Sequence, residues 1–178
     1  MEIERRTLEP FAGFTGEMSF YLGGLEVLRD RLRQIVSDLT QEELAARAFP
    51  GAHQIGNLIL HLGETEASWT QRIVNGEEPD DEMKKFSHWC DTTERDFAEK
   101  GYSAEECLER IDQIRAKSRE VFANFTDADL DKFFGYNRGD AARVEFTLRW
   151  FFTNHLDHEA VHRGQISMLK RILRGGEI

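Results

Sequence analysis

The sequence predicts an all-α protein, a four-helix bundle, on three observations. Apolar residues recur at three- and four-residue steps over four long stretches, capping boxes and glycine stops punctuate those stretches, and no series of alternating apolar strands or fixed-period repeats interrupts them. A chain of 178 residues, 40% hydrophobic and 31% charged, has enough material for one substantial core, so the expected organisation is a single domain over residues 1–178.

The first helix is expected from Thr15 to Leu39, where Met18, Tyr21, Leu22, Leu25, Leu28, Leu32, Ile35, Val36 and Leu39 form one stripe. Thr40 stands three residues before Glu43, the capping-box spacing, and opens a short helix to about Arg47. Pro50-Gly51 breaks the chain. A second long helix then carries Ile55, Leu58, Ile59, Leu62, Ala67, Trp69 and Ile73 and stops at Asn75-Gly76. Residues Glu77 to Gly101 are charge-rich and contain Pro79, which predicts a long, partly helical connection with Phe86, Trp89 and Phe97 as surface anchors.

Ser103 and Glu106 form another capping box, and Leu108, Ile111, Ile114, Val121 and Phe122 extend a third helix to near Asn124. A capped turn at Thr126 to Asp129 and a loop around Gly135 to Gly139 lead into the last helix. It is expected from Ala142 to Leu173, a rod of about 48 Å at ~1.5 Å per residue.

Composition removes several function classes. A net charge of -10 with no Lys/Arg stripe argues against nucleic acid as a partner. The longest apolar runs, Ile55 to Leu62 and Phe146 to Phe152, fall well short of the roughly 20 residues that span a bilayer. The start Met1-Glu2-Ile3-Glu4 lacks the pattern of a secretory signal. Cys90 and Cys107 have no metal or redox spacing, which suits a reducing cytoplasm.

Three of the six histidines crowd into one helical stretch as His155, His158 and His162. At ~100° per residue, His158 and His162 lie one turn apart on one face and can address one ion; His155 lies close to the same face, so spacing alone leaves the pair open. His61, inside the apolar stripe of the second long helix, is the natural third donor. Three imidazoles suit a divalent metal such as zinc or nickel, with a further position left for water or substrate.

Two other metal signatures overlap this stretch. His158-Glu159-Ala160-Val161-His162 matches the H-E-x-x-H of zinc peptidases, with Glu159 as general base. Gln165 stands where the extended peptidase motif has glycine, and no strand is expected that could hold a peptide. Glu159-Ala160-Val161-His162 is also half of a di-iron carboxylate site, but no second Glu-x-x-His exists on another helix.

With those residues in view, the chain resembles the DinB/YfiT-like family of metal-binding four-helix bundles over nearly its whole length. The resemblance rests on Leu39 to Leu44, Pro50-Gly51 and Ile55 to Glu64 around the first family histidine, and on His158 to Ile166, two histidines four apart followed by Gly164-Gln165. It implies His61, His158 and His162 as metal ligands and leaves His155 and His53 as neighbours or surface residues. Gly164 and Gln165 are read as packing residues, Gln165 with an amide that can hydrogen-bond a ligand ring.

The resemblance further implies a metal-dependent enzyme, a hydrolase or an S-transferase that uses a low-molecular-weight thiol, acting on a small-molecule substrate. The alternative is a non-catalytic metal-binding bundle of the stress-response or interaction type, with His155 or Glu159 closing the coordination shell. Apolar positions on the first helix and the run Trp150-Phe151-Phe152 predict a homodimer.

Overall fold

The computed structural model describes residues 7–76, 81, 96–138 and 142–176. The anchors Phe86 and Trp89 of the predicted connection lie outside the described residues, as does Cys90.

Four long helices form the bundle: α1 (Gly16–Val36), α3 (Ile55–Asn75), α4 (Ala104–Phe122) and α5 (Leu148–Leu173), with a short α2 (Gln41–Ala45) after the first. The predicted punctuation is present. Thr40 with Glu43 and Ser103 with Glu106 form reciprocal capping boxes, and α3 ends on Gly76 in the left-handed region at φ 65°.

Side-chain contacts fix the arrangement of the helices. Tyr21 stacks on Phe152 and Lys170 donates to the Ile35 carbonyl, so α1 and α5 run parallel. Gly63 faces Ile111 and Ile114 while Thr70 meets Ser118, so α3 and α4 are also parallel. Arg29 reaches Asp112 and Arg115 reaches Glu26, which sets α1 antiparallel to α4. His61 meets His158 and Trp69 meets Trp150, which sets α3 antiparallel to α5. Two parallel helices in succession, α3 and α4, require the long connection predicted between them; its described end is a 3-10 turn at Phe97–Glu99, with Phe97 fully buried against Gly56.

One expectation is overturned. Residues expected as a loop and as the first turns of the last helix form a β-hairpin, β1 (Phe133–Arg138) with β2 (Ala142–Thr147), antiparallel with Phe134 opposite Phe146 and Tyr136 opposite Val144. Those four side chains share one face and pack towards the bundle. Phe134 lies on Phe125, while Tyr136 and Phe146 meet Trp69 edge-on; on the other face Phe133 is 74% exposed. Two inward positions per strand are too short an alternation to outweigh the helix-forming run Ala141 to Glu145 in sequence. The last helix therefore begins at Leu148, where Thr147 Oγ1 accepts from the Trp150 amide at 3.2 Å.

The interior is divided. One apolar cluster gathers Leu32, Val36, Ile55, Ile59, Leu62, Phe97, Ile111 and Ile166; the other gathers Met18, Leu22, Leu25, Ile73, Phe122, Phe151 and Phe152. Between them lies a polar layer to which each long helix contributes: Arg29 from α1, Glu66 from α3, Arg115 from α4, and His155 with Glu159 from α5, none more than 2% exposed.

Candidate metal centre

The three histidines that the resemblance selects converge in the groove between α3 and α5. His61 lies 5.2 Å from His158 and 5.0 Å from His162 between ring centroids, and His158 and His162 are 4.4 Å apart, each pair inclined rather than stacked. Helix α3 supplies His61 from a position flanked by the buried Leu60 and Leu62, and one turn of α5 places His158 and His162 side by side. All three rings are half-buried, so the group is shielded but reachable.

The hydrogen bonds orient the rings. Glu64 Oε2 accepts from Nδ1 of His61 at 3.3 Å, and Gln165 Oε1 accepts from Nδ1 of His162 at 2.7 Å, which places the lone pair of each ring on Nε2. Nε2 of His61 lies 3.4 Å from Nε2 of His158. Bonds of about 2.1 Å at a tetrahedral angle put two donor nitrogens about 3.4 Å apart, so the spacing fits one ion between them. Burial, followed by the charges that His162, His155 and His61 would carry, pushes His158 down to about 3 from the usual 6.5. Burial also lowers His162, opposed by the Gln165 hydrogen bond and reinforced by His61 and His53. At neutral pH both rings are uncharged, the form that binds a cation.

His155 and Glu159 belong to the buried layer. Glu159 follows His158 by one residue, about 100° round the helix, and points inward. Its Oε1 accepts from Nη2 of Arg115, and from Nη2 of Arg29 at 3.1 Å. Arg115 also donates from Nε to Glu66 at 2.6 Å. Burial pushes the Glu66 carboxyl up, but Arg115, with His155 and Arg29, outweighs it and holds the carboxyl well below its usual range. His155 lies parallel to Phe151 and to His158, with Nε2 3.8 Å from both Glu66 and Glu159.

Glu66, His155 and Glu159 also bring ligand atoms within 4.8 Å of one another. Two guanidiniums already neutralise the two carboxylates, and a dication there would sit against both, so the group is a structural ion network. The same contacts remove Glu159 as the general base of a peptidase. The lack of strands expected from the sequence, which also spoke against a peptidase, is corrected by the β1–β2 hairpin.

Thr65 and the buried charged layer escaped the sequence reading. Thr65 places Oγ1 3.4 Å from Nε2 of His61; its i+4 spacing from His61 was the available signal. The buried layer was foreshadowed by charged residues standing in apolar stripes, as in Leu22, Leu25, Arg29, Leu32, Val36. Gly164, expected to let helices approach closely, is exposed with open space around it. His53 is exposed, and Phe151 and Phe152 of the proposed pairing surface are core residues, leaving Trp150 at the surface.

The fold has solved counterparts. YfiT from Bacillus subtilis, described as a probable metal-dependent hydrolase with an unusual four-helix bundle topology, superposes with a TM-score of 0.61 at 16% identity, covering 99% of this chain and 95% of that one. A conserved protein from Enterococcus faecalis gives 0.65 at 14% identity over 90% and 99% of the two chains. A DinB-like protein from Bacillus cereus gives 0.62 at 17% over 89% and 93%. Among curated proteins none matches in sequence. The model of the DinB superfamily matches residues 25–166, and the chain belongs to that superfamily.

Proposed function

We propose that this protein is a metal-dependent enzyme, a hydrolase or a thiol-dependent S-transferase, in which His61, His158 and His162 hold one divalent ion, zinc or nickel. The observation that carries the proposal is the 3.4 Å separation of the His61 and His158 Nε2 atoms, with His162 alongside and its own Nε2 free. The description of YfiT as a probable metal-dependent hydrolase supports the same reading. A divalent ion there would lower the pKa of water to near 7 or hold a thiol as thiolate, supplying a nucleophile at neutral pH.

The chain's own residues do the rest. Glu64 and Gln165 fix the imidazole tautomers, and the half-buried setting of the rings leaves the group within reach of a small molecule. A carrier with a closed shell would need His155 or Glu159 as the fourth donor, whereas Glu159 is committed to Arg29 and Arg115 and His155 turns Nε2 towards Glu66 and Glu159 at 3.8 Å.

Elemental analysis of purified protein is expected to find one zinc or nickel per chain, lost in His61→Ala, His158→Ala and His162→Ala. The loaded protein is then presented with electrophiles and hydrolysable esters and amides, with and without low-molecular-weight thiols. Full metal content in the His158→Ala variant, or turnover unchanged in it, overturns the proposal.

A further inference from the structure

We propose that Thr65 is a ligand-binding residue of this centre, donating a hydrogen bond to an anionic donor atom that enters the open side of the three-histidine group. The inference rests on the metal reading above and adds to it the residue that selects what binds beside the ion.

The two sides of the His61 ring are chemically distinct. Nδ1 is turned to Glu64, the side that orients the ring from behind. Nε2 faces His158 Nε2 at 3.4 Å, the side on which an ion would sit, and the Thr65 hydroxyl lies on this second side at 3.4 Å. Hydroxyls in the middle of a helix commonly turn back to the carbonyl four residues earlier, as Ser118 does to Ile114 at 3.2 Å and Thr153 to Arg149 at 2.9 Å. Thr65 instead approaches the side chain of the residue four positions earlier.

Once the Nε2 lone pair is given to a cation it can no longer accept the Thr65 proton. The hydroxyl then has a proton to offer at the mouth of the site, where an anion on the same cation can accept it. Thr65 is half-buried, so such a hydrogen bond is partly shielded from bulk water. The class of ligand is a small anion with a free lone pair after coordination, a thiolate among them. A neutral donor such as imidazole has no lone pair left to accept and gains nothing from Thr65.

The test uses full-length protein loaded with cobalt(II), whose visible spectrum reports the coordination sphere, with azide as the anionic probe and imidazole as the neutral one. Thr65→Val removes the hydroxyl at nearly constant shape and is expected to bind cobalt as the unmodified protein does. Its azide affinity should fall about tenfold, with imidazole affinity unchanged and azide affinity restored in Thr65→Ser. Equal azide affinity in the valine variant overturns the role of Thr65 and leaves the metal reading intact. Failure of the unmodified protein to take up cobalt at the three histidines overturns the reading beneath it. If the valine variant does not load, Thr65→Ala against Thr65→Ser makes the same comparison, and equal azide affinity in that pair overturns the inference.

Discussion

His158 and Glu159 are neighbours in sequence, yet a turn of about 100° sends one to the groove and the other to the interior. The groove histidine carries a consequence for stability. His158 is held at about 3 in the folded metal-free protein against 6.5 as a free side chain, so the unfolded chain binds a proton that the folded chain refuses. Its contribution to stability is complete above pH about 6.5 and is lost as pH falls from there towards about 3. Urea unfolding of metal-free protein from pH 7 to 4 is expected to show a shallower acid loss in His158→Gln than in the unmodified chain; parallel curves would refute the assignment. The pairing of His158 with His162 was legible as a four-residue spacing. The inward turn of His155 was not, because three- and four-residue steps both stay near one face, and only the packing of Phe151, Glu66 and Glu159 around His155 draws it inward.

At the scale of elements, ends marked by local chemistry were readable and ends set from a distance were not. The caps at Thr40 and Ser103 act within one turn. Helix α1 has no such cap from Thr15; the Asp127 carboxylate, over a hundred residues on, accepts from the amides of Glu17 at 2.8 Å and Met18 at 3.0 Å. Glycines separate in the same way. A Cβ on Gly63 would stand 2.7 Å from Ile114 Cδ1 and 2.9 Å from Ile111 Cγ2, in the seam of the parallel pair α3 and α4, whereas Gly164 has nothing within 4 Å. Gly63→Val is therefore expected to cost about 1–3 kcal/mol, while Gly164→Ala should add about 0.5–1 kcal/mol by helix propensity alone. Chemical denaturation midpoints check both, and opposite signs for the pair are the required outcome.

At the scale of the whole molecule, the buried layer links all four long helices. Arg29, Glu66, Arg115 and Glu159 pair across the axis and divide the apolar interior into two clusters. Two cations and two anions balance only when each helix presents its charge at the same height, so the layer penalises any slip in register. Removing one member leaves buried charge without its counter-ion, and Glu159→Ala is expected to cost about 3–5 kcal/mol in unfolding free energy. Metal uptake by the folded variant should be unchanged, which separates this structural role from that of the peptidase base; a loss of metal without a loss of stability would reverse the assignment. No helix among the described residues is long and apolar enough to cross a membrane, in keeping with charge placed at this depth.

The sequence by itself determined the class of fold, the four long helices, their local caps and the crowding of histidines on the last of them, because these follow from periodicity and from bonds made within a turn or two. Tertiary structure decided the rest. The hairpin holds because Phe134, Tyr136, Val144 and Phe146 pack on the bundle, against the local helical preference of part of the strand. The inward turn of His155 and Glu159, the remote cap of α1 and the approach of Thr65 to His61 Nε2 are likewise set by three-dimensional packing. Selection of His61, His158 and His162 came first from family likeness, and their convergence became visible only when α3 and α5 were set side by side in opposite directions.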